Sequence, residues 1–148
     1  MIHIGIDPGK SGAYAILEDG KAPIVEPWSE SGFVQAMGAL PIKEIAMAMV
    51  EKVGAMPGQG VTSMFHFGKN AGFIEGVLSA YRIPHQLVPP QRWKKEFSLG
   101  SDKEQSISAC RALFPDANLL PTPRCRKPND GMAEALLIAE YGRRQWHD

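Results

Sequence analysis

Four carboxylates stand out because of the residues around them: Asp7, Glu51, Asp130 and Glu134. Asp7 ends the alternating run Ile2-His3-Ile4-Gly5-Ile6, and Glu51 closes the apolar run Ile45-Ala46-Met47-Ala48-Met49-Val50. A carboxylate at the end of a buried strand is costly unless something pairs with it or coordinates it. Asp130 and Glu134 are four residues apart, which on a helix puts them on one face, where like charges repel. Gathered together, four such groups cannot stay ionised without cations, and carboxylate oxygens are the ligands that Mg²⁺ and Mn²⁺ take. Two such ions about 4 Å apart can activate water on one side of a phosphodiester and stabilise the leaving 3′ oxygen on the other. Each acid also has a plainer reading. Asp7 could accept hydrogen bonds in its own Pro8-Gly9 turn, Glu51 could face solvent at a strand edge, and the helix pair could serve capping and the helix dipole. A capping box wants a spacing of three, however, and this pair has four.

The elements that must position these acids follow from periodicity. Residues 2–7 alternate with period two, and Pro8-Gly9-Lys10-Ser11-Gly12 turns the chain into a second strand over 13–17. Glu18-Asp19-Gly20-Lys21 is a hairpin signal, so 22–26 return as a third strand. Ser29 can cap a helix over 29–40, with Phe33, Ala36, Met37 and Leu40 on one face and Pro41 closing it. The run 45–53 reads as a central strand covered on both faces, and a helix over 43–52 competes with it. The longest helix is expected over 63–81, with Phe67, Ala71, Ile74 and Leu78 on one stripe. Gly68, Gly72 and Gly76 form another stripe, a row that lets a second element come close, either a dimer partner or the sheet. A strand over 85–88, helices over 90–97 and 102–114, a basic, proline-rich loop over 119–128 expected to be mobile, and a last helix over 129–145 complete the chain. The order β-β-β-α-β-α-β-α-α-α makes an α/β fold, a mixed five-stranded sheet with helices on both faces, because the later strands need crossover connections.

At 148 residues the chain is expected to form a single domain over 1–148. Apolar residues at 44% and charged residues at 22% exclude an intrinsically disordered, collagen-like or disulfide-built chain. Sixteen basic and 16 acidic side chains cancel, so no global field advertises nucleic acid. The distribution is uneven, though: residues 82–127 hold nine basic against four acidic side chains, net +5, where a polyanion could dock. Cys110 and Cys125 lack metal-ligand spacing and read as free thiols, which suits a reducing compartment. His3, His66, His85 and His147 are scattered and receive no catalytic role. No apolar run approaches the ~18 residues that a span needs, so no membrane partner is expected, and a cytoplasmic location is.

Three segments carry a resemblance. Ile4-Gly5-Ile6-Asp7-Pro8-Gly9, Val50-Glu51-Lys52-Val53 and Asp130-Gly131-Met132-Ala133-Glu134-Ala135-Leu136-Leu137-Ile138-Ala139 resemble, in this order, the motifs of the RuvC family of Holliday junction resolvases, especially its phage-type members. The resemblance spans nearly the whole chain. It implies a ribonuclease H-like fold, a homodimer, and Mg²⁺-dependent paired nicking of opposed strands at four-way DNA junctions, with two ions per site and Mn²⁺ as a substitute. Asp7 then corresponds to the family's first-strand metal ligand, Glu51 to its central-strand glutamate and Glu134 to the second acid of its last helix. Asp130 completes the set at a spacing of four, similar to phage-type members, whereas bacterial members use three. Lys94 and Lys103 fall where the family places basic residues near the scissile phosphate, against the alternative of a solvated helix face. Arg124, Arg126 and Lys127, just before the last helix, could close over a backbone phosphate, and Lys10 and Lys69 are further candidates for that work.

One position departs from the family. Bacterial members carry a base-wedging aromatic three residues after the central glutamate, and here that position is Gly54. Phe65 and Phe67 could stack at an opened crossover, against the alternative that they are core, and Met56 is another possible wedge. Other functional readings are a non-catalytic branched-DNA-binding protein of the same fold and a ribonuclease acting on RNA or RNA–DNA hybrid. An actin-like nucleotide-binding fold would explain Asp7-Pro8-Gly9, but 148 residues cannot supply its two lobes.

Overall fold

The computed structural model describes residues 1–54 and 58–147. Its strands are β1 (Ile2–Asp7), β2 (Ala13–Glu18), β3 (Ile24–Pro27), β4 (Ile45–Glu51) and β5 (His85–Val88). The helices are α1 (Glu30–Ala39), α2 (Val61–Ala80), α3 (Pro90–Glu96), α4 (Lys103–Leu113) and α5 (Asp130–Gln145). The strands form one sheet in the order β3-β2-β1-β4-β5. The β1-β2-β3 meander is antiparallel, and β4 runs parallel to both β1 and β5. The expected mixed five-stranded sheet with helices on both faces is therefore present. The competing helix over 43–52 is not: Ala48 and Met49 sit between β1 and β5, with ladder partners on both sides.

The two faces of the sheet bury separate cores. Ile2, Ile4 and Ile6 of β1 pack with Ala48 and Val50 of β4 against Phe33 and Met37 of α1 and Ile74 and Leu78 of α2. On the opposite face α5 lies across β1, where Leu136, Leu137 and Ile138 are fully buried, each worth about 1.5–3 kcal/mol of transfer free energy. Gly5 sets that approach, because a Cβ there would run into the backbone of Ala135 and Ala139. Period-two alternation then fixes the direction of Asp7, which shares the α5 face with Gly5 while the isoleucines take the other.

Three expectations need correction. The apolar stripe on α2 is buried only in its second half. Ile74 and Leu78 are covered, whereas Val61, Met64, Phe65 and Phe67 are exposed. Gly68, Gly72 and Gly76 likewise meet nothing within 4 Å, which removes helix-on-sheet packing as their explanation. The loop before α5 is tied down at several points. Leu119 is buried and its carbonyl accepts from Asn129 N at 2.8 Å, while Asn118 Oδ1 holds Leu120 N at 3.0 Å. Both cysteines are free thiols, and burial pushes the Cys110 thiol up to about 12, leaving it unreactive. Among the described residues no helix is long and apolar enough to cross a membrane.

Candidate functional site

The parallel pairing of β1 and β4 ends at Ile6 opposite Val50, so the next residue on each strand, Asp7 and Glu51, is a neighbour across the sheet edge. The α5 helix brings Glu134 over them. Asn129 caps α5, its Oδ1 accepting from Met132 N at 2.9 Å, so neither Asp130 nor Glu134 is needed as the cap. Asp130 is half-exposed at the helix start and meets Lys103 Nζ at 3.4 Å, a surface pair of modest worth. Asp7, Glu51 and Glu134 are more deeply placed.

Their electrostatics are those of crowded acids. Burial pushes the Asp7 carboxyl far above the usual carboxylate range, and the negative charges of Glu51, Glu134 and Asp130 add to it. Glu134 is also raised, by burial first and then by Glu51, with Lys94 opposing. A hydrogen bond between the two carboxyls favours the proton on Asp7 and the charge on Glu134. Burial raises Glu51 as well, against a hydrogen bond from Trp93 Nε1 to its Oε2 at 2.8 Å and the charge of Lys94. Ser106 Oγ reaches Glu134 Oε1 at 3.4 Å. The cluster thus shares a proton where a cation would relieve the same repulsion. The donors are all hard oxygens, which fits a magnesium-type ion. Among the described residues no three acidic, histidine or cysteine groups form a closed cation cage. Asp130 is engaged by Lys103 and Glu51 by Trp93.

The basic residues fall into three places. Lys94 lies beside the acids, 5.6 Å from the Trp93 ring centroid, and Lys103 is tied to Asp130. Arg124, Arg126 and Lys127 are exposed on the loop before α5, with Arg126 and Arg111 lining a cavity of about 400 Å³. Lys10 and Lys69 line a different cavity, near the Asp7 turn. Phe65 is 67% exposed on α2, with the His66 ring edge-on at 6.0 Å. Met56 lies outside the described residues. Sequence reasoning missed Trp93 and Ser106 as partners of the acids. Trp93 sits one residue before Lys94 and could have been suspected, because a fully buried indole N–H seeks an acceptor. Ser106 had no such signal.

No family model and no curated protein matches the sequence. Solved structures do. Thermus thermophilus RuvC in complex with a Holliday junction substrate superposes with a TM-score of 0.65 at 16% identity, over 98% of this chain and 97% of that one. The fold is the RuvC fold. A second T. thermophilus RuvC structure matches at a TM-score of 0.61 and 19% identity, covering 97% of this chain and 96% of that chain. The Fowlpox virus resolvase, in complex with its Holliday junction DNA substrate, matches at 0.61 and 19%, over 97% of both chains. The RuvC-like, ribonuclease H-like architecture therefore extends over almost the entire chain and includes both strands and the helix that carry the four acids.

Proposed function

We propose that this protein is a structure-selective DNA endonuclease that resolves four-way junctions by paired, metal-dependent phosphodiester hydrolysis. The observation that carries this reading is the convergence of Asp7, Glu51 and Glu134 at the shared ends of β1, β4 and α5, with Asp130 and Lys94 beside them. The RuvC fold supports it, since solved proteins sharing that fold are seen with Holliday junction DNA. Asp7, Glu51, Glu134 and Asp130 would hold two Mg²⁺ ions, with Mn²⁺ as a substitute. When bound, the ions supply the Lewis acidity that generates the nucleophile and takes up charge on the leaving oxygen. The chain's own part is to hold the phosphate. Lys94, whose charge acts on Glu51 and Glu134, and Lys103, paired with Asp130, would donate to its oxygens, and Arg124, Arg126 and Lys127 would neutralise the backbone beyond. Hydrolysis leaves 5′ phosphate and 3′ hydroxyl ends.

Paired nicking of a two-fold junction calls for a two-fold protein. The bare glycine row of α2 supports a homodimer, because Gly68, Gly72 and Gly76 leave room for a second helix to approach closely. Phe65, one turn before that row, is exposed enough to stack on bases at the crossover.

The test is incubation with labelled four-way junction, linear duplex and RNA–DNA hybrid, each with Mg²⁺ or EDTA, resolved on a denaturing gel. Symmetric, Mg²⁺-dependent nicks confined to the junction are expected. Cleavage of hybrid alone would replace the substrate, and binding without cleavage would mean a branched-DNA-binding protein.

A further inference from the structure

The face of α4 turned toward α5 carries Lys103, Ser106, Ile107 and Cys110, spaced i, i+3, i+4 and i+7. A stripe of that spacing is ordinarily apolar where it meets a core, and Ile107 and Cys110 are buried in the core that α5 shares. Ser106 breaks the stripe at 2% exposure. A hydroxyl taken out of water costs free energy unless it is hydrogen-bonded, and alanine, the better helix former, stands at 109 and 112 of the same helix. The fold alone therefore gives no reason for a hydroxyl at 106. Its one hydrogen bond among the described residues goes to Glu134 Oε1, at 3.4 Å. An ionised carboxylate only accepts, so the hydroxyl donates and favours the deprotonated Glu134 that a cation requires.

Glu134 has a competing partner, since its carboxyl also hydrogen-bonds that of Asp7. A glutamate side chain has several rotamers open to it, and a fixed donor selects among them. Ser106 is such a donor because α4 is itself anchored. Asp102 caps the helix, its Oδ1 accepting from Glu104 N at 3.0 Å, and Ile107 and Cys110 pin it to the core. Lys103 on the same face pairs with Asp130, but at 75% exposure that contact is a weak surface pair. We propose that Ser106 is a positioning residue for the metal site: its hydroxyl fixes the Glu134 carboxylate for a divalent cation, from a helix that carries none of the four acids. The inference rests on the metal reading of those acids and adds that the affinity of the site is set in part from α4. Removing a partner that orients a metal ligand typically costs roughly 10–100-fold in metal affinity.

The test counts bound metal directly. Mn²⁺ is titrated into the full chain without DNA and the free ion is read from its electron paramagnetic resonance signal, with urea unfolding in EDTA and junction cleavage measured in parallel. Ser106→Ala should weaken Mn²⁺ affinity roughly tenfold while the urea midpoint hardly moves. Cys110→Ala, in the next turn of the same face, opens a cavity in the core without touching an acid. It should lower the urea midpoint and leave Mn²⁺ affinity at the wild-type value. Ser106→Thr keeps the hydroxyl and should keep most of the affinity. If its extra methyl lowers the urea midpoint, Ser106→Cys, a weaker donor, should bind between wild type and Ser106→Ala. Equal affinity in wild type and Ser106→Ala overturns the proposal and leaves the metal reading standing. Equal losses in Ser106→Ala and Cys110→Ala overturn it too, because α4 then acts by packing alone, as does a loss that neither threonine nor cysteine lessens. Absence of Mn²⁺ binding by the wild type overturns the proposal and the metal reading together. A loss confined to Ser106→Ala and lessened by the conservative variant sustains the proposal even if no junction is cut, in which case the nuclease reading alone fails.

Discussion

At the C-terminal end of α5, Glu140 is 3% exposed and receives Arg143 Nε and Nη2 at 2.6 Å each and Arg144 Nε at 3.1 Å. At the N-terminal end of the same helix Asp7 is 9% exposed, and the charges that act on it are those of three other carboxylates. One buried acid is neutralised within the chain, by cations that also complement the helix dipole. The other meets burial and further carboxylates, with only a hydrogen bond to Glu134 to share its proton among the described residues. The difference separates two uses of a buried charge. Where the fold supplies the counter-ion, the charge serves the fold; where it supplies further like charges, the charge awaits a cation from outside.

The largest expected effect comes from neutralising the unsatisfied end. Asp7→Asn should lower junction cleavage by 10³-fold or more, about 4 kcal/mol of transition-state stabilisation, while junction binding is kept or tightened because a repulsive charge has gone. Parallel gel-shift and cleavage assays would check it, and an equal loss of both would place Asp7 with the structural acids instead. The satisfied end should respond in the opposite way. Replacing Arg143 and Arg144 together with alanine strands Glu140 in the interior and should cost about 2–3 kcal/mol in urea unfolding, less than a fully buried pair because both arginines are partly exposed. Cleavage per folded molecule should stay at the wild-type level.

Acidity and metal sharpen the contrast further. Asp7, Glu51 and Glu134 all have folded-state pKa values above their unfolded ones, so the folded chain binds more protons between the ordinary carboxylate range and about 9, the value for Asp7. The associated stability is fully present at low pH and is lost as pH rises through that window. In EDTA the melting temperature should therefore fall from about pH 5 to about pH 8, by some 3 °C for each 1 kcal/mol in a domain of this size. Mg²⁺ at tenfold over its dissociation constant should restore about 1.4 kcal/mol at the higher pH. Asp7→Asn should flatten the slope.

Much of this arrangement could be read before any coordinates. The acids at 7, 51, 130 and 134 were visible because strand alternation and helix spacing are local properties, and the order of elements followed from the same periodicities. The first half of α2 was less legible. Phe67 and Ala71 fit the apolar stripe as well as Ile74 and Leu78 do, and only the tertiary structure shows that the core covers the second pair and not the first. The satisfied end of α5 was missed for a related reason. Glu140, Arg143 and Arg144 have the spacing of an ordinary exposed helix face, and nothing local shows that Glu140 is covered. Trp93 and Ser106 depend on contacts 42 and 28 residues away, which no pattern along the chain encodes.

Trp93 also offers the finest test of the comparison, because it supports a site acid somewhat as the arginines support Glu140. Its Nε1 donates to Glu51 and, together with Lys94, resists the rise that burial imposes on that carboxyl. Trp93→Phe keeps a ring in the core and removes the donor, so the Glu51 pKa should rise. Lys94 stays in place and continues to oppose the rise. The acid limb of the pH–rate profile for junction cleavage should move to higher pH, with the rate at high pH nearly unchanged. A uniform fall in rate at every pH would mean that Trp93 acts on the site through packing, and that Glu51 is held as firmly by the fold as Glu140 is.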